Sequence, residues 1–172
     1  TLYTPDDITA WEQLHFDDND DLVQLRWGDK ELSGSITLKW LPSTLQLVDL
    51  KGNSLCGSVD LTTLPDRITH LFLRRNSLTG SIDLTQLPEG MKVLDITRNE
   101  FFGTIDVTKL PQSMAVLMVS FNNLSGETDF TALPDSLYTF SLSHTQIEGD
   151  LVQKAGRKYL VFQSRVKLIM EE

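Results

Sequence analysis

Apolar positions in this chain recur at a fixed interval instead of filling one long run. Leu71 and Leu73, with Phe72 between them, return as Leu94 and Ile96 around Asp95, and again as Leu117 and Val119 around Met118. The step is 23 residues, and other positions keep it. Pro42, Pro65, Pro88, Pro111 and Pro134 share one phase, while Gly34, Gly57, Gly80, Gly103, Gly126 and Gly149 share another. The in-out-in order of Leu71-Phe72-Leu73 predicts a short strand with Phe72 facing solvent. Stacked units then predict a parallel sheet with strands about 4.8 Å apart. After each strand comes an asparagine, at Asn53, Asn76, Asn99 and Asn122. A buried amide at that place can pair the peptide groups that a turn leaves without partners. Ile82-Asp83-Leu84-Thr85 reads as a short extended stretch on the outer side, ended by Leu87-Pro88. No segment there is long enough for a full helix, so short strands or 3-10 turns are predicted.

Six units can be written out between residues 22 and 149, with Lys30 and Thr145 in the asparagine slot of the first and last. Atypical end units suit a stacked array, whose terminal coils meet something other than another coil. Thr4-Pro5-Asp6-Asp7 has the marks of a helix start, and Ile8, Trp11 and Leu14 follow on one helical face. Residues 1–21 are therefore expected to form an N-terminal cap, a short helix plus an acidic loop. Residues 150–172 lose the pattern and are expected to form a C-terminal cap of one or two strands. All three parts form one structural domain in this reading.

The span 22–149, with its pattern LPxxLxxLxLxxNxLxGxIDLTx, resembles a leucine-rich repeat protein. The LxGxI portion is similar to the plant-type subclass, whose outer side carries a second narrow sheet. Here Asp60, Asp83, Asp106 and Asp129 stand where that subclass has proline, and the repeat is one residue shorter. The LP and IDLT elements also resemble repeat proteins of protists such as trypanosomatids. The resemblance implies an α/β, β-rich right-handed superhelix, a horseshoe solenoid with a parallel concave sheet. It implies a protein or peptide ligand on that sheet, and no catalytic residues.

Charge narrows the partners. The formal net charge is -9. Nine acids against two bases in residues 1–31 give -7, and five bases against three acids in residues 150–172 give +2. Such a surface repels nucleic acid and anionic lipid. No run approaches the ~20 apolar residues of a membrane span, so no membrane insertion is expected. Cys56 is the only cysteine, which excludes an internal disulfide, and it is expected to be a buried or half-buried small residue. The lone cysteine tilts the reading towards the cytoplasm and leaves a surface or secreted location open.

Fixed phase also assigns the outward columns of the sheet. Leu47, His70, Val93 and Val116 fall in one; Asp49, Phe72, Asp95 and Met118 in the next; Arg74 in a third; Arg75, Arg98 and Phe121 in the fourth, at the strand exit. Together they form an apolar patch with a basic strip inside an acidic protein. Aromatic, methionine and arginine enrichment is the composition of protein–protein hot spots. A non-enzymatic interaction scaffold, monomeric or weakly dimeric, is the first reading. A structural or spacer segment of a larger surface or cytoskeletal protein, using the patch for self-association, is the second.

Other chemistry finds little support. His15, His70 and His144 are far apart in the repeat pattern, and no glycine-rich phosphate loop is present. Asp17, Asn19 and Asp21 alternate as in a calcium loop, but Leu22 and Gly28 stand where that loop needs glycine and a bidentate acid. The convex aspartates read as turn caps for Thr62, Thr85, Thr108 and Thr131. Neither cofactor nor metal is expected.

Overall fold

The computed structural model describes residues 13–170. Its strands are β1 (Leu14–Phe16), β2 (Leu22–Arg26), β3 (Ser33–Ser35), β4 (Leu47–Asp49), β5 (Ser54–Ser58), β6 (His70–Phe72), β7 (Ser77–Gly80) and β8 (Val93–Asp95). They continue through β9 (Glu100–Gly103), β10 (Val116–Met118), β11 (Asn123–Glu127), β12 (Thr139–Ser141), β13 (Gln146–Gln153), β14 (Lys158–Leu160) and β15 (Arg165–Met170). They form two sheets. One has eight strands in the order β1-β2-β4-β6-β8-β10-β12-β14, and the other has seven in the order β15-β13-β11-β9-β7-β5-β3. The chain therefore alternates between the two sheets coil after coil.

Register carries the repeat into three dimensions. Gln24 pairs with Leu47, Leu47 with His70, His70 with Val93, Val93 with Val116 and Val116 with Thr139, all in parallel. One register row points inward, a column of Leu25, Val48, Leu71, Leu94, Leu117, Phe140 and Tyr159, all buried. Leu55, Leu78, Phe101, Leu124 and Ile147 close the same core from the second sheet. At the C-terminal end the column turns aromatic: Phe140 meets Phe130 and Tyr159 edge-on, with centroids 6.0 and 6.5 Å away.

The N-terminal helix expected from Thr4, Ile8 and Trp11 lies outside the described residues. Leu14, assigned to its face, belongs instead to β1, which pairs antiparallel with β2 through Leu14 and Leu25. The acidic run between those strands is their turn. Asp17 Oδ1 accepts from the backbone N–H groups of Asn19 and Asp21, at 2.9 and 3.1 Å.

The second sheet forms earlier in each coil than the hydropathy pattern suggests. It occupies the stretch just after the asparagine, such as Ser77–Gly80, and not the Ile82–Thr85 stretch. An aspartate caps the stretch that follows. Asp83 Oδ1 accepts from both the backbone N–H of Thr85 and its hydroxyl, at 2.8 and 2.7 Å, which curls the chain out of an extended path. Asp60, Asp106 and Asp129 do the same with Thr62, Thr108 and Thr131. In the second coil the curl is a 3-10 turn, Leu61–Thr63. The hydroxyl and then the amide of the threonine hold the carboxyls of Asp83, Asp106 and Asp129 below the usual range.

Cys56 is exposed, contrary to the expectation of a buried or half-buried residue. Leu55 takes the inward position on β5, so the next side chain points out.

Candidate functional site

The outward face of the eight-stranded sheet carries the residues picked out by phase. Leu47, His70, Val93 and Val116 lie in one register row, and Asp49, Phe72, Asp95 and Met118 in the next. Phe72 and Met118 flank Asp95, one strand away on each side. Two strand spacings separate them, about 10 Å. Both rings of the His70–Phe72 pair lie on this face, with centroids 6.4 Å apart. Burial, and then the charges of Lys92 and Arg26, lower the His70 pKa, so the neutral ring is favoured there.

Solvent reaches this face unevenly. Leu47, Phe72, Val93, Val116 and Met118 are half-buried. Asp49 and Asp95 are only 7% and 5% exposed, so their carboxylates are not presented freely as the alternation implies. Each folds back on its own strand exit. Asp95 Oδ1 accepts from Thr97 N–H at 3.0 Å, and Asp49 Oδ1 from Lys51 N–H at 3.1 Å. Lys51 Nζ adds an ion pair to Asp49 at 2.8 Å. The face is thus apolar with small, locally satisfied polar gaps.

Beyond the strand exit the backbone enters the left-handed region in every coil. Asp29, Gly52, Arg75, Arg98, Phe121 and His144 have φ between 54° and 65°. Their N–H groups bond to the next coil: Arg75 donates to Thr97 O and Arg98 to Ser120 O, at 2.9 and 3.0 Å. This turn sends the side chains of Arg75 and Arg98 onto one rim. With Arg74 and Thr97 they wall a depression of about 410 Å³.

Below the rim runs the asparagine ladder. Asn99 Nδ2 donates to Ile96 O of its own coil and to Leu73 O of the preceding one, both at 3.0 Å, while Oδ1 accepts from Leu78 N–H at 3.1 Å. Asn122 repeats this with Val119 O, Ile96 O and Phe101 N–H. Asn76 bonds Leu73 O, Leu50 O and Leu55 N–H, and Asn53 bonds Leu50 O, Trp27 O and the N–H groups of Lys30 and Leu32. Thr145 in the last slot reaches only within its own coil, donating to Leu142 O at 2.7 Å.

No protein-family model and no curated protein matches the sequence. Solved structures do. A crystal structure of a pollen receptor kinase 3 superimposes with a TM-score of 0.76 at 19% identity, covering 92% of this chain and 81% of that one. The BIR2 ectodomain from Arabidopsis thaliana gives 0.56 at 21% identity, covering 97% and 83%. The fold is a leucine-rich repeat solenoid. At these identities the likeness concerns the fold alone.

The solenoid holds a feature that the repeat pattern hides. Phe121 stacks on His144 with centroids 4.0 Å apart, and His144 meets Phe162 edge-on at 5.5 Å. Arg98 lies over Phe121, its Cζ 4.4 Å from the ring centre. Arg98, Phe121 and His144 thus make one row along the strand-exit rim, and Phe162, one position before the exit of the last coil, packs against its end. Phe162 was out of reach of the column arithmetic, because the step from Thr139 to its partner Lys158 is 19 residues, not 23. Tyr159-Leu160-Val161-Phe162 repeats the strand-and-exit order of Phe140-Ser141-Leu142-Ser143 and reads as a seventh strand near the expected phase. Among the described residues, no three His, Cys, Asp or Glu side chains converge in a metal-like group.

Proposed function

We propose that this solenoid is a non-enzymatic scaffold that binds a protein or peptide on the outward face of its eight-stranded sheet, the face the repeat makes concave. The observation that carries the reading is the half-buried apolar patch of Leu47, Phe72, Val93, Val116 and Met118 across two adjoining rows, flanked by the arginine rim. Apolar anchors surrounded by charge are how protein interfaces combine desolvation with orientation. The small shielded polar gap at Asp95 lets a partner side chain settle between Phe72 and Met118 without stripping water from a free carboxylate.

Affinity capture from the native source followed by titration of the captured protein tests this. Phe72→Asp is expected to weaken binding by about 2 kcal/mol or more, as loss of a buried anchor does. Thr108→Ala, on the opposite side, is expected to change affinity by less than about 0.5 kcal/mol. A larger effect at Thr108 than at Phe72 contradicts the proposal. If sedimentation shows a dimer that Phe72→Asp dissociates and no heterologous partner competes for the face, the sheet serves self-association instead.

A further inference from the structure

We infer that the depression walled by Arg74, Arg75, Thr97 and Arg98 receives a tetrahedral dianion, a phosphorylated side chain carried by the partner. The inference rests on the partner-binding reading above and specifies its chemistry. Three arginines from two adjacent coils line this one depression. The protein as a whole holds 24 acids against 15 lysines and arginines, yet among the described residues no carboxylate lies within 4.0 Å of any of these three. Unneutralised like charges held side by side repel, and an anion between them removes that repulsion.

The left-handed turn is common to every coil, at Asp29, Gly52, Phe121 and His144 as at Arg75 and Arg98, and it brings both arginines to the same rim. The ring of Phe121 beneath Arg98 steadies that guanidinium before any ligand arrives.

Ligand charge decides between anions. A carboxylate brings one negative charge and two oxygens, enough for one bidentate arginine. A phosphomonoester brings about -1.5 to -2 and three strong acceptor oxygens, which matches three guanidinium groups. A nucleic-acid strand supplies phosphates too, but the net charge of -9 repels a polyanion where it tolerates a single dianion.

The test uses the whole chain and defined probes. In an NMR titration with inorganic phosphate at constant ionic strength, saturable shifts are expected at Arg74, Arg75 and Arg98 and not at Lys92 or Lys158. Peptides with degenerate flanks and a central phosphoserine, phosphotyrosine or sulfotyrosine are compared by fluorescence polarisation with their unmodified and glutamate twins. The phosphorylated peptides are expected to bind about tenfold tighter than the glutamate twin, as loss of charge-assisted bonds implies. The sulfotyrosine arm separates the two sources of a tetrahedral anion, and tighter binding there reassigns the site to sulfate. Arg75→Asn with Arg98→Asn is expected to abolish the preference, since asparagine tolerates the turn and keeps the fold, as circular dichroism will show. Equal binding of phosphorylated and glutamate peptides overturns the inference, and so does tighter binding of a single-stranded oligonucleotide. Partner binding that is sensitive to Phe72→Asp but unaffected by the double arginine variant removes the dianion and leaves the scaffold reading standing.

Discussion

Phe101→Ala is expected to destabilise the solenoid by about 3–5 kcal/mol, whereas Phe102→Ala, its immediate neighbour, should cost about 0.5 kcal/mol. The two rings differ in nothing but direction. Phe101 is fully buried, 0% exposed, and plugs the core between the coils that contribute Leu78 and Leu124. Phe102 points out of the second sheet and is 51% exposed. Removing Phe101 loses the transfer energy of a whole aromatic ring and leaves a cavity between coils pinned above and below by parallel pairing, so collapse is limited. Urea melts read this directly as a shift in midpoint at unchanged slope. Similar costs for the two variants would mean that the in-out phase of the second sheet is wrong.

The second large effect falls on a polar residue. Asn99→Ala should cost about 3 kcal/mol, because it strips partners from Leu73 O, Ile96 O and Leu78 N–H at once, and water cannot reach the site. Asn99 is buried, and those three groups belong to two coils, so the loss loosens the seam between them. At Asn53, which is half-buried near the open end of the array, the same change should cost about 1 kcal/mol, since solvent can replace part of the lost bonding. Asn99→Asp should be no better than alanine, because a carboxylate cannot donate to the two carbonyls. Thermal and urea melts of the three variants check the order.

Most of this architecture was legible because a solenoid writes its spatial period directly into the sequence. A residue and its neighbour one coil away are related by a constant offset, so the sequence alone stacks Leu71, Leu94 and Leu117. Asn76 and Asn99 declared themselves for the same reason. What stayed hidden depends on contacts that the offset does not encode. The aspartates at the exits of β4 and β8 alternate outward like any strand residue, but their short side chains reach their own backbone two residues on and leave the solvent. The second sheet lies before the curl at Asp83 and Thr85, not where apolar spacing alone puts it. Phe162 meets the end of the aromatic row only through the shortened last coil. Leu14 read equally well on a helical face, and its antiparallel pairing with Leu25 is a tertiary contact that local periodicity cannot supply.

Burial also separates the candidate surface into parts with different chemistry. Leu47, His70, Phe72, Val93, Val116 and Met118 form the apolar floor, Asp49 and Asp95 its satisfied gaps, and Arg74, Arg75, Arg98 and Phe121 the rim. A partner that uses the floor for affinity and the rim for selection is expected to lose residence time on changes at Phe72. Changes on an exposed rim alter mainly the rate of association and its response to salt.

Site-specific photo-crosslinking shows which face of the solenoid the partner touches. Benzoylphenylalanine placed singly at Phe72 and at Val116 reports on the outward face of the eight-stranded sheet. The same group at Thr108 and at Thr131 reports on the aspartate–threonine turns across the coil. The partner is expected to crosslink from Phe72 and Val116 and not from Thr108 or Thr131. Crosslinks from Thr108 and Thr131, with none from Phe72 or Val116, would contradict binding on that sheet.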